Sequence, residues 1–113
     1  YPIIDVYNGG TVSGTISALE RAIAIAGPET RVIPGHGLVP VGLNQVEEFL
    51  EMIVNVRDDV REMIAEGFSL EQVMAAHPTA AYDGQWGQEA SWTANDFVPI
   101  IFYEHGGGSF FSP

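Results

Sequence analysis

The sequence predicts a single α/β domain of short strands and three helices. Its 113 residues are enough for one modest hydrophobic core and too few for two independent domains. Three short runs rich in apolar residues predict strands, and three segments with apolar residues at helical spacing predict helices. Because 46% of the residues are apolar and only 17% are charged, we expect the chain to fold rather than remain disordered.

The first half of the chain alternates strand, helix and strand. Residues 3–7 form an apolar run that is closed by a turn at residues 8–10. A helix then begins at Thr11 or Ser13, which are suitable caps, and stops at residues 27–28, a glycine and a proline. Residues 31–33 predict the next strand, and residues 34–37 break it into a loop.

The second half begins with the longest predicted element, a helix over residues 44–67. Apolar residues recur there in steps of three and four, and Asn44 and Glu47 have the spacing of a capping box. A short helix follows, capped by Ser69 and Gln72 and ending near residue 76. Residues 97–103 predict one more strand, and its internal proline indicates an edge or bulged position.

Composition excludes several classes of partner and chemistry. Fifteen acidic residues face four arginines and no lysine, which gives a formal charge of −11. That charge repels phosphate backbones and anionic lipid surfaces, so we expect neither a nucleic acid nor a membrane as partner. Cysteine is absent, which excludes disulfides and thiolate ligands.

Localisation is less constrained. The chain lacks the roughly 20 consecutive apolar residues of a membrane span, so we expect a soluble protein, cytoplasmic or periplasmic. It begins at Tyr1 rather than methionine, and residues 1–4 have no signal-peptide character. We therefore expect that an upstream segment was removed.

His36 is the most informative candidate for chemistry. It lies between Gly35 and Gly37, just after the predicted strand 31–33. Flanking glycines let backbone or a ligand approach closely and leave the imidazole unshielded, which suits a metal ligand. Taken alone, however, a loop histidine is more often a surface or hydrogen-bonded residue than a metal ligand.

A longer pattern surrounds this histidine. The string V-I-P-G-H-G-L-V follows I-I-D-V-Y-N-G-G and a helix that ends in A-G-P-E-T, and E-G-F-S-L-E-Q-V and Y-D-G-Q-W-G come later. This order of motifs resembles the C-terminal part of the metallo-β-lactamase superfamily, up to about Tyr103. The resemblance implies that residues 1–104 belong to an αββα sandwich domain. The glycine triplet at residues 106–108 separately predicts that residues 105–113 form a flexible tail.

The resemblance also implies a function. In these hydrolases the histidine of the P-G-H-G loop is the last protein ligand of a dinuclear metal site, and His36 occupies that position. The parent protein would be a metal-dependent hydrolase of a small-molecule substrate. Its cofactor would be zinc or another divalent metal, with a metal-bridged water or hydroxide as nucleophile.

This chain departs from the family by lacking the other metal ligands. No H-x-H-x-D-H cluster, further ligand histidine or bridging aspartate is present, and one imidazole does not hold zinc tightly. The chain is therefore expected to be a C-terminal fragment that is inactive alone. Its expected partners are the missing N-terminal portion of the same protein and further copies of the fragment.

Other residues near the expected site have plainer roles. Asp5 is a candidate to hydrogen-bond a metal ligand, but bonding backbone in the turn at residues 8–10 is the preferred interpretation. His77 is expected at a helix terminus. Tyr82, Asp83 and Trp86 are expected to anchor their irregular segment onto the helices, and bordering a substrate cleft is the alternative.

Two other interpretations stay open. In the first, the chain is a non-catalytic helical interaction module, and His36 is only a loop residue. In the second, residues 97–110 resemble the strand and H-G-G-G oxyanion loop of α/β-hydrolase esterases. That fold needs a G-x-S-x-G nucleophile elbow downstream, and this sequence does not contain one.

Overall fold

Helices and one small antiparallel sheet make up the structure, a computed structural model that describes residues 1–36 and 40–106. No strand pairing other than that of this sheet occurs among those residues. In chain order the elements are a 3₁₀ helix at Val6–Asn8, α1 at Val12–Ile25, β1 at Arg31–Val32, β2 at Val41–Gly42, α2 at Leu43–Ala65, α3 at Leu70–Ala75, α4 at Asp83–Trp86 and α5 at Ala94–Glu104.

The chain enters through a turn rather than through the predicted strand at residues 3–7, so that prediction is wrong. The Asp5 side chain caps the 3₁₀ helix by accepting from Asn8 N, and the Asp5 carbonyl oxygen accepts from Gly10 N at 2.8 Å. These local bonds use the backbone donors that a β-ladder would need. Ile4 is nevertheless buried, so the apolar character of the segment still contributes to the core.

Helix α1 confirms its prediction. Thr11 is the cap, and its Oγ1 accepts from Gly14 N at 2.8 Å. The helix buries Val12 and Ile16. Its C-terminal end leaves the core, and Ile25 is 79% exposed.

The sheet is a minimal hairpin. Arg31 pairs with Gly42 and Val32 pairs with Val41, in antiparallel register. The strand predicted at residues 31–33 is thus confirmed in kind, one residue shorter. Strand β2 escaped prediction because two residues are too short to show a period.

Helix α2 starts directly after this hairpin. Gly42, still in extended backbone, is its N-cap, and Gly42 N donates to Gln45 Oε1 at 3.0 Å. The prediction of Asn44 as the cap is therefore wrong, because the strand ends and the helix is capped two residues earlier, at Gly42. The short helix α3 has the predicted Ser69 cap, whose Oγ accepts from Gln72 N at 3.2 Å.

Residues 97–103, predicted as a strand, belong to helix α5. Thr93 caps this helix, and Thr93 N donates to the Asp96 carboxylate at 2.8 Å, which is a capping box. Phe97 and Val98 are both fully buried, as neighbours on a helix that is covered on most sides can be. Pro99 lies inside the helix and removes one backbone donor from it.

The core lies where α2 packs against α1 and α5, and α3 also packs against α5. The residues it buries most completely come from all four helices, and they are Val12, Met52, Ile53, Val56, Val60, Val73, Phe97, Val98 and Ile101. As for lipid bilayers, no helix among residues 1–36 and 40–106 has both the length and the apolar character needed to cross one.

The entry turn gives a sharp test of this packing. An alanine Cβ at Gly10 would lie 2.7 Å from the Asp5 carbonyl oxygen, so Gly10→Ala has to displace backbone. We expect a loss of about 1–3 kcal/mol in the free energy of unfolding, measured by urea denaturation. Gly84→Ala is the matched control, because nothing lies within 4 Å of its Cβ. Equal stability of the two variants would contradict the turn geometry.

Candidate functional site

His36 lies in the turn that connects the two strands of the hairpin. The ladder of Arg31–Val32 with Val41–Gly42 fixes both ends of that connection, and β2 leads without a break into α2. The imidazole is exposed, and it makes no hydrogen bond or ion pair with the described residues. Next to it, a Cβ at Gly35 would meet nothing within 4 Å. The side chain is therefore accessible to an external ligand.

Asp5 is occupied locally. Its Oδ2 accepts from Asn8 Nδ2 at 2.6 Å and its Oδ1 accepts from Asn8 N at 3.3 Å. These bonds match the structural task preferred for it from the sequence. No hydrogen bond joins Asp5 to His36, so the two predicted site residues are not brought into direct contact.

The donor set of this chain is small. Within residues 1–36 and 40–106, no group of three or more histidine, cysteine, aspartate or glutamate side chains could hold a metal ion together. Such a site normally needs three or four protein ligands. The described residues therefore do not form a metal site by themselves, and a metal bound to His36 would need further ligands from outside this set.

The segment around α4 is anchored as predicted. The Asn55 side chain donates to the Tyr82 hydroxyl at 2.9 Å, and Trp86 stacks on Phe49 with ring centroids 5.1 Å apart. The Tyr1 hydroxyl donates to the Asp83 carboxylate. Burial, together with this bond, raises the pKa of the Tyr1 phenol.

His77 ends helix α3 in the left-handed region, with φ of 51°. It occupies the position just past the C-cap, as expected for a residue at a helix terminus. Its side chain is exposed at the edge of a shallow pocket of about 200 Å³, next to Asp83 and Asn95. Two titratable groups at an open rim do not make a metal site.

Beside Asp5 lies a larger groove of about 410 Å³ that sequence reasoning missed. The apolar lining comes from both termini of the described chain: Ile3, Ile4, Val6, Tyr7, Trp92, Pro99 and Ile100. Trp92 is held in place because its Nε1 donates to the Pro2 carbonyl oxygen at 2.8 Å. The groove joins residues about 90 positions apart, so no local pattern could have indicated it.

Comparison with known proteins adds no relative. No protein-family model matches the chain, and neither a curated protein nor a solved structure gives a significant match.

Proposed function

We propose that this chain is the C-terminal part of a metal-dependent hydrolase of the metallo-β-lactamase fold, in which His36 is one ligand of a zinc centre. The proposal depends above all on one observation. The His36 imidazole, in the turn that follows β1, is exposed and bonds to none of the described residues. Binding a metal would therefore break no hydrogen bond between this side chain and the described residues.

The hairpin supports this role mechanically. A histidine ligand must be held in a narrow range of positions, which is easier when its loop is tied to a rigid element. The loop that carries His36 is closed by the β1–β2 ladder, and β2 continues into the 23-residue helix α2. The strand that ends the connection carrying His36 is thus continuous with the longest helix among the described residues.

Exposed apolar side chains support an association with the remainder of a sandwich domain. Ile3 is 45% exposed, and Tyr7, Ile25 and Ile33 are each more than 75% exposed. They come from the entry segment, the end of α1 and the residue after β1. Where exposed apolar residues of this size form one contiguous patch, the patch commonly marks a surface that another part of a protein covers. An N-terminal portion with the other metal ligands is the proposed partner.

Bound zinc would supply Lewis acidity and an activated water, which is the chemistry of hydrolysis. This chain would supply one metal ligand, His36, and part of the hydrophobic core of the domain. A small molecule with a hydrolysable bond is the proposed substrate class. The formal charge of −11 disfavours nucleic acid substrates.

Metal removal tests the proposal. In the parent protein, which joins this chain to its proposed N-terminal portion, a chelator is expected to abolish hydrolysis of a panel of esters, thioesters and lactones. Added zinc is expected to restore the activity and to raise the melting temperature, because zinc binds only the folded state. Hydrolysis at the full rate by metal-free protein would contradict the proposal.

The esterase interpretation has lost its structural premise. It requires a strand before the His105-Gly106 sequence, and the described residues there form helix α5. The rest of that motif and of the predicted tail, residues 107–113, lies outside the described residues.

A further inference from the structure

The last turn of α5 is fastened to the first turn of α1 by one carboxylate. Glu104 Oε1 accepts from Val12 N at 2.6 Å, and Glu104 Oε2 accepts from Ser13 N and Ser13 Oγ, both at 2.9 Å. Backbone donors in the first turn of a helix have no partner within the helix. A negative charge at this end is also favoured by the helix dipole. Glu104 thus joins the C-terminal end of α5 to the N-terminal end of α1.

His105 lies directly beside this contact. Its Nε2 is 3.6 Å from Glu104 Oε2, the same oxygen that Ser13 uses. The Nε2 atom is buried and has no hydrogen-bond partner among the described residues, and the side chain is only 17% exposed. The buried Nε2 atom thus lacks a hydrogen-bond partner, and the neighbouring carboxylate already accepts from three donors. Protonation of the imidazole would change the interaction between these two groups.

We propose that Glu104 and His105 form a pH-responsive latch, which holds the end of α5 on the start of α1 while the imidazole is neutral and loosens when His105 is protonated. This inference is independent of the proposed function. Throughout, "latch" means the contacts of Glu104 with Val12 and Ser13, together with the neighbouring His105.

Burial sets the direction of the switch by lowering the pKa of His105, and the charges around this residue modify that effect in both directions. Glu104 on α5 and Asp58 on α2 attract an imidazolium, whereas Arg57 and Arg61 on α2 repel it. Arg57 is paired with Asp58 at 2.9 Å, which offsets part of that attraction. Burial is the largest influence, and it lowers the pKa of His105 below its ordinary value.

The pH window follows from that direction. The opened latch exposes His105, so the open form takes up a proton near the ordinary imidazole pKa of 6.5, before the closed form does. The latch is therefore fully stable above about pH 6.5 and loses stability as the pH falls toward the lowered pKa. An imidazolium that stays in place would also draw Oε2 away from Ser13.

Linkage gives the size of the effect. If the closed form remained unprotonated, the opening equilibrium would rise about tenfold between pH 7.5 and pH 5.5, because pH 5.5 lies one unit below 6.5 and pH 7.5 lies one unit above it. Any protonation of the closed form makes the rise smaller. Carboxylates ordinarily titrate near pH 4, so they contribute little in this range.

Amide NMR on the purified protein tests the latch between pH 7.5 and 5.5. We expect the Val12 and Ser13 amide resonances to move with the same midpoint as the His105 ring protons, and their protection factors to fall by up to about tenfold. In His105→Gln these changes are expected to disappear, while the amides stay protected. His77→Gln alters an exposed histidine away from the latch. In this variant the Val12 and Ser13 amides are expected to respond to pH as they do in the wild type.

Two results would overturn the latch. In the first, the His105 ring of the wild type titrates but the Val12 and Ser13 amides do not change. The other is an unchanged response in His105→Gln. The ring titration is measured in the wild-type protein, so the test survives even if the variant fails to fold.

Discussion

Replacing Phe97 with alanine is expected to lower the free energy of unfolding by about 3–5 kcal/mol, the range measured for buried aromatic side chains. Phe97 is 0% exposed and stacks on Tyr1 with ring centroids 5.5 Å apart. It projects from α5 into the core that α2 and α1 share. A loss of this size is a large part of the total stability of a domain of this length.

Urea denaturation followed by circular dichroism measures this loss. Ile25→Ala is the matched control, because it also truncates an apolar side chain but at a position that is 79% exposed. The control is expected to stay within about 0.5 kcal/mol of the wild type. If Phe97→Ala cost no more than Ile25→Ala, the assignment of residues 94–104 to a buried helix would be wrong.

Replacing His36 with alanine is expected to weaken zinc affinity and hydrolysis by the parent protein by more than tenfold each, since a lost ligand leaves the centre incomplete. The same substitution is expected to leave the stability of the metal-free protein within about 0.5 kcal/mol, because the imidazole is exposed and bonds to no described residue. A stable fold with a weakened metal site separates a ligand from a structural histidine.

His77→Ala is the control for this experiment. His77 is also an exposed histidine, but it ends α3 and is not part of the proposed metal site. Zinc affinity and kcat/KM of this variant are expected to match the wild type. Parallel losses in His36→Ala and His77→Ala would mean that the assay reports a general effect of removing histidines.

Three helices could be predicted from the sequence because their signals are local. Apolar residues at helical spacing predicted the buried side of α2, and the caps Thr11 and Ser69 marked where α1 and α3 begin. The start of α2 was misjudged, since the pairing of Gly42 with Arg31 decides it and that pairing is a tertiary contact.

The wrong prediction of a strand at residues 97–103 has a physical reason. Residues 97–103 carry apolar side chains at almost every position, so they show neither a helical nor a strand period, and Pro99 favoured an edge strand. Burial by three other helices decided for a helix. A local signal was present nevertheless, in the spacing of Thr93 and Asp96.

Features near the candidate site that depend on local sequence could be predicted, whereas long-range contacts could not. The turn around His36 and the local bonds of Asp5 follow from glycine, proline and a short polar side chain, which sequence reasoning can evaluate. The contact of Glu104 with Val12 joins residues 92 positions apart, and nothing in either local sequence indicates it. Long-range contacts of this kind need the fold.

Zinc stoichiometry in the purified parent protein tests the central proposal most directly. Elemental analysis after equilibration with excess zinc and removal of the free metal is expected to give about two zinc ions per chain in the wild type and in His77→Ala. His36→Ala is expected to give about one or fewer. The same zinc content in all three proteins would contradict the assignment of His36 as a metal ligand, and a wild-type protein that binds no zinc would favour the non-catalytic interaction module.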